Sequence, residues 1–136
     1  MVYSFFVPGE VVGKARPRMN TRTGKAYTPT KTKLYEYGIR QFFIMEYPNF
    51  RVLEGRVKVT IIAMFNIPKS TSKKNKELML DGKISPTKKP DIDNITKIVL
   101  DAMNKFAYKD DTQVVDVKAW KIYSDVPGMR IEVEEF

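Results

Sequence analysis

The chain contains no cysteine and no histidine. The first absence removes any disulfide framework and any thiolate metal site. The second removes the side chain most used as a general base, which is also the commonest transition-metal ligand. A metal site here has to be built from oxygen ligands, which favours Mg²⁺ or Mn²⁺. Long apolar runs are missing too: nothing approaches the roughly 18 residues of a membrane helix, so no membrane partner is expected. The opening MVYSFFVPGE has neither a basic start nor a long apolar core, and does not read as a signal peptide. These absences point to a reducing, cytoplasmic setting. Carboxylates are the minority charge, 16 Asp and Glu against 24 Lys and Arg, giving a net +8 and a pI near 9.6. A balance that basic predicts a polyanionic partner, nucleic acid first.

What is present is enough for one folded domain. The 136 residues are 43% hydrophobic, which suits a single domain over 1–136 with a sizeable core. Val2 to Val7 reads as a first strand, stopped by Pro8-Gly9. The following VVGKARPRMNTRTGKAYTP carries Lys14, Arg16, Arg18, Arg22 and Lys25, with a turn at Thr21–Gly24 between two short extended segments. Its cations are candidates to grip phosphates, against the plainer reading of a solvated loop. Thr30 to about Tyr47 reads as a helix opened by Pro29 and closed by Pro48, with Leu34, Tyr37 or Gly38, Gln41 or Phe42, and Met45 at helical spacing. Arg56 to Ile67 alternates at period two and is the clearest strand. Ser70 or Ser72 caps a short helix running through Leu80 to Gly82. Ile92 to Phe106 is amphipathic, with Ile92, Ile95, Val99, Ala102, Met103 and Phe106 as its stripe. Gln113–Tyr123 and Arg130–Phe136 read as strands joined in a hairpin around Val126–Met129. The class predicted is α/β (α+β), a mixed sheet with about two main helices.

The chemistry gathers in Lys89–Asp111, KPDIDNITKIVLDAMNKFAYKDD. Asp91 and Asp93 alternate at the start of a helix. Lys97 follows one helical turn after Asp93, and Asp110-Asp111 precede a strand. Each feature has a plain structural explanation. Aspartates cap helices, an i, i+4 Asp–Lys pair on a surface is worth roughly 0.3 kcal/mol, and an acidic pair before a strand makes a turn. Together they predict an Mg²⁺ site for phosphate chemistry, with Asp91, Asp93 and Asp111 converging and Lys97 beside them. A basic body around an acidic pocket is what a metal-dependent nuclease needs.

At these residues the sequence resembles the RusA-type Holliday junction resolvases. Asp91, Asp93, Asn94 and Lys97 match a D-x-D-N-x-x-K motif. Asp101-Ala102-Met103-Asn104 matches D-A-[LM]-N, and Asp110-Asp111 with Gln113 match D-D-x-Q. Pro8, Lys14, Arg16, Pro17 and Arg18 match the family's opening, and Tyr27–Pro29 matches as well. The resemblance implies a RusA-like α/β domain and a homodimer making paired nicks in a four-way junction, in DNA recombination and repair. It implies a divalent cation, Mg²⁺ with Mn²⁺ as the alternative, held by Asp91, Asp93 and Asp111. Lys97 would be the essential lysine and Lys14, Arg16 and Arg18 DNA contacts. Asp110 is adjacent and could substitute for Asp111. Chains of this type are often carried by phages or prophages. The competing expectation is a non-catalytic basic nucleic-acid-binding module whose acidic cluster is structural.

Overall fold

The alternation in Val57–Asn66 sets the architecture. In the computed structural model, which describes residues 1–136, this segment is strand β4; Val57, Val59, Ile61 and Ala63 are fully buried, while Lys58, Thr60, Ile62 and Met64 lie half-buried on the other face. Around it stand β1 (Val2–Pro8), β5 (Val114–Ser124) and β6 (Gly128–Glu135), in the order β1-β6-β4-β5. β6 runs antiparallel to both β1 and β4, whereas β5 runs parallel to β4. The sheet is therefore mixed. The hairpin expected between the last two strands does not form, because β4 lies between them. β6 has the buried alternation of an inner strand, with Ile131 opposite Ile61 and Val133 opposite Val59. β5 exposes Val115 and Val117 and takes the edge, and Asp125–Pro127 carries the chain past the end of β4.

Two helices cover the face that carries Val57, Val59 and Ile61: α1 (Thr30–Glu46) and, later in the chain, α3 (Ile92–Met103). Between them α2 (Lys73–Leu80) is a short surface helix; the Ser72 hydroxyl accepts from the Asn75 N–H at 3.2 Å and Gly82 follows its end at φ 77°. α1 turns a different side inward from the one its spacing predicts. Thr32, Glu36, Ile39 and Phe43 are buried, whereas Leu34, Tyr37 and Met45 are 65%, 56% and 74% exposed. Apolar residues occur on both sides of this helix, so periodicity alone does not choose. A charge is tolerable inside only when paired, and Glu36 has Lys14 as its partner. Phe43 anchors α1 edge-on to Tyr3, Phe5 and Phe50, with centroids 5.3, 5.3 and 4.8 Å away. Truncating such a ring to alanine costs about 3–5 kcal/mol.

α3 buries Ile95, Ile98, Val99, Ala102 and Met103. It stops at Met103, three residues before the expected Phe106, because Asn104 leaves the helical conformation and Lys105 takes φ 58°. Ile92, expected in the apolar stripe, is 41% exposed. Two minimal strands, β2 (Arg18–Met19) and β3 (Ala26–Tyr27), form a separate ribbon around the predicted turn. No helix is long and apolar enough to cross a membrane.

Candidate nucleic-acid interface and acidic site

Three structural explanations compete with chemistry at the acidic stretch, and the fold separates them residue by residue. Asp91 occupies the N-cap position of α3 in extended backbone, yet its side chain caps no N–H. Asp93 lies in the first turn, exposed, and Lys97 lies one turn on, also exposed. The ion pairs of the fold are Lys14–Glu36, Lys14–Asp101, Lys76–Asp125 and Lys109–Glu54; the i, i+4 pair of Asp93 and Lys97 is not among them. So neither capping nor ion pairing occupies these three side chains.

The acidic pair before β5 divides differently. Asp110 caps the 3-10 turn Asp111–Gln113: its Oδ2 accepts the Thr112 N–H at 3.2 Å, and Gln113 Oε1 accepts the Asp110 N–H at 2.9 Å. The bond from the Thr112 hydroxyl, with the backbone bond behind it, holds the Asp110 carboxyl below its usual range. Asp111 is exposed and takes no such role. The structural explanation thus holds for Asp110 and fails for Asp111.

The strap between β1 and β2 crosses the start of α3. Lys14 donates its N–H to the Asn94 carbonyl at 2.9 Å. Gly13 lies so close that an added Cβ would sit 2.7 Å from Pro90 Cβ and 3.1 Å from Asn94 Cβ, so only glycine fits. Lys14 Nζ turns inward, 3.2 Å from Glu36 and 3.1 Å from Asp101. Burial opposes its charge, but the hydrogen bonds to Asp101 and Glu36 and their negative charges outweigh it, and the ammonium titrates above its ordinary 10.5. Lys14 Nζ is thus engaged with two carboxylates while its side chain stands in the wall of the neighbouring groove. Arg16 and Arg18, just beyond it, are exposed.

One groove, about 610 Å³, gathers these groups: Lys14, Arg16, Arg18, Lys31 and Lys89 line it together with Asp91. Lys31 escaped the sequence reading. Its signal was the lack of any carboxylate between Glu10 and Glu36, a run that includes it. Glu36 escaped as well; it sits three and seven residues before Ile39 and Phe43, on their side of α1.

The order in which these pieces occur along the chain is matched by a known family. A family model of endodeoxyribonuclease RusA fits residues 8–134, from the end of β1 to the last strand. The chain belongs to the RusA endodeoxyribonuclease family. The uncharacterized protein YqaN of Bacillus subtilis (strain 168) is 38% identical over 135 residues, covering 96% of this chain and 94% of its own length. The RusA match therefore includes the strap, the groove and both acidic segments in one span.

Within a single RusA-family chain, the acidic residues do not all meet. Asp91 and Asp93 open α3, whereas Asp111 follows the return from its other end. There the Tyr108 hydroxyl donates to the Leu100 carbonyl at 2.9 Å and Gln113 Nε2 holds the Leu53 and Gly55 carbonyls. Burial, then the charges of Asp111, Asp101 and Asp110, push the Tyr108 phenol far above its usual range, which places Asp111 near that end. The 12 residues of α3 measure about 18 Å at 1.5 Å per residue. Accordingly, no group of three carboxylates is within reach of one ion. The expected convergence of Asp91, Asp93 and Asp111 does not occur in one chain. Asp91 and Asp93 alone still suit Mg²⁺, which is commonly held by one or two carboxylates, waters and substrate phosphates.

Proposed function

We propose that the protein is a divalent-metal-dependent endodeoxyribonuclease that resolves four-way DNA junctions by paired nicks, acting as a homodimer in recombination and repair. The observation that carries this reading is the selective freedom of Asp91, Asp93, Lys97 and Asp111. Their neighbours Asp101 and Asp110 are occupied by Lys14 and Thr112. Exposed, unpaired carboxylates beside a basic groove are poor stabilisers and good ligands.

In this reading Arg16 and Arg18, with Lys31 and Lys89, hold the phosphates of a DNA arm in the groove and bring one phosphodiester to Asp91 and Asp93. Mg²⁺ or Mn²⁺ bound there would neutralise the phosphodiester and lower the pKa of a bound water. Lys97, one turn along the same face, stabilises charge developing on the phosphate. Asp111 reaches the same site only from a second copy, since about 18 Å of helix separates the two ends within one chain. A two-fold dimer would bring the partner subunit's free carboxylate to each Asp91–Asp93 pair and present two sites to two strands.

The separation of the carboxylates favours one competing reading, a basic module that binds nucleic acid without cutting it. Cleavage of a labelled four-way junction beside a linear duplex of the same sequence, with and without Mg²⁺ or Mn²⁺, decides between them. Paired, metal-dependent nicks confined to the junction establish the resolvase. Binding without cutting in either metal establishes the module.

A further inference from the structure

The β2–β3 ribbon extends the groove wall, to which Arg18 belongs, outward into solvent. Every residue from Arg16 to Tyr27 is exposed. A two-stranded hairpin that buries nothing is marginal in water, yet this one is carefully specified. Asn20 donates its N–H to the Lys25 carbonyl at 2.8 Å and accepts the Gly24 N–H at 2.8 Å. Its Oδ1 accepts the Arg22 N–H at 2.9 Å, and Gly24 supplies the φ of 68° that closes the tip. The turn places Arg22 at the apex.

The ribbon has two chemically distinct faces. Arg18 pairs with Tyr27 and Met19 with Ala26, and paired residues share a face of a ribbon. One face therefore offers a cation beside an aromatic ring, and the other an unbranched apolar side chain beside a methyl group. Tyr27 is 46% and Met19 62% exposed. Each face therefore holds one large side chain in solvent on a formed ribbon.

The charge around them names the partner. From Val11 to Tyr35 the chain carries Lys14, Arg16, Arg18, Arg22, Lys25, Lys31 and Lys33 and no carboxylate. The base of the ribbon is also the wall of the groove, through Arg16 and Arg18, so a DNA arm seated there runs up to the ribbon. A two-stranded ribbon has the width of a major groove. Duplex arms offer such a ribbon phosphates and groove edges. A branch point offers in addition base faces whose stacking is interrupted, and Met and Tyr are side chains that insert at or stack on such steps.

We propose that this ribbon reads the branch point. Tyr27 stacks on a base unstacked at the junction while Arg18 holds the neighbouring phosphate, and Met19 fills the opened step from the other face. The inference rests on the branched-DNA reading and adds to it the source of preference for a branch over a plain duplex.

The test uses the full chain without divalent metal, so that no strand is cut. Affinities for a synthetic four-way junction and for a duplex of the same sequence are measured by anisotropy for wild type, Tyr27→Ala, Met19→Ala and Tyr27→Trp. A second readout is 2-aminopurine fluorescence at the branch. The ribbon contributes nothing to the core, so these variants fold. The expected result is about a tenfold loss of junction affinity in Tyr27→Ala, the order of one lost base–aromatic stack. Duplex affinity changes less than twofold, Tyr27→Trp restores the junction, and the 2-aminopurine rise of the wild type is lost in Met19→Ala. Junction preference and fluorescence unchanged in both alanine variants overturn the proposal alone. A wild type that does not distinguish junction from duplex overturns the branched-DNA reading as well.

Discussion

Lys14 Nζ lies 3.1 Å from the Asp101 carboxylate, a link between the strap that leads to Arg16 and the helix that starts at Asp91. The same ammonium is 3.2 Å from Glu36 of α1. Three separate segments thus share one cation whose side chain is 14% exposed. The Lys14 N–H bond to Asn94 and the Gly13 contact with Pro90 lock the same crossing. The basic wall and the acidic end of the groove are held in fixed relation by this joint, and a residue that looks like a DNA contact is its pin.

Lys14→Ala removes the counter-charge of a buried carboxylate. Breaking a fully buried pair costs about 3–5 kcal/mol; Asp101 is 32% exposed, which reduces the expectation here to about 1–3 kcal/mol. Urea denaturation checks it. Glu36→Gln should recover part of the loss in the Lys14→Ala background, because the unpaired charge goes with it. Additive losses would show that the two groups are not coupled. The raised Lys14 pKa puts this stabilisation in full below about pH 10.5, to be lost as pH climbs through the higher folded value.

Arg16 of the strap and Arg18 at the start of β2 form no ion pair, so their removal acts on phosphate binding. Each phosphate contact contributes about 0.9 to the slope of log K against log salt. The double variant Arg16→Ala, Arg18→Ala should flatten that slope by about 2 and weaken duplex and junction together. Lys14→Ala should leave the slope nearly unchanged. A salt titration of binding separates the two behaviours, and an unaltered slope in the arginine variant returns those residues to the solvated loop.

Much of this was legible because short-range rules agreed with the fold. The period-two alternation of β4, the Ser72 cap, the turn at Thr21–Gly24 and the burial of Val99 and Met103 all follow from local pattern. What failed depends on partners distant in sequence. The inward face of α1 is decided by Lys14, which makes Glu36 an interior residue and leaves Leu34 and Met45 outside. The final hairpin failed because β4 competes for the edge of β6 with a better match, Ile61 and Val59 against Ile131 and Val133. At the acidic stretch the sequence names the carboxylates and the lysine but not how far apart the fold puts them. The helix from Ile92 was legible, and its length, about 18 Å at 1.5 Å per residue, is what keeps Asp93 and Asp111 apart in one chain.

Glu135 carries an acid-sensitive contact far from the groove. Its Oε2 accepts the Glu54 N–H at 2.9 Å and the Gly55 N–H at 2.7 Å. These bonds, the Gly55 one first, hold its carboxyl below the ordinary 4.5. A depressed folded pKa gives stability that is present above the unfolded value and lost as pH falls through the folded one. Glu135→Gln should therefore lower the urea midpoint at pH 7 and narrow the drop between pH 5 and pH 3 relative to wild type, both to a modest degree because the group is exposed. An equal acid drop in both proteins would show that another carboxyl dominates that limb.

Asp93→Asn should abolish cleavage while keeping or tightening junction binding, because it removes a negative charge beside phosphate. Lys97→Ala should lower turnover by about 10²-fold or more with affinity within a few fold, as expected of a group acting on developing charge. Asp110→Asn should cut normally, since Asn caps a turn nearly as well as Asp, and Asp111→Asn should not cut. Mixing Asp93→Asn with Asp111→Asn then tests where the third carboxylate comes from. If each site takes Asp91 and Asp93 from one protomer and Asp111 from its partner, a mixed dimer holds one site with both substitutions and one site with neither. Such a mixture regains nicking of single strands without paired cuts. If every site lies within one chain, each protomer carries its own defect and the mixture stays inactive.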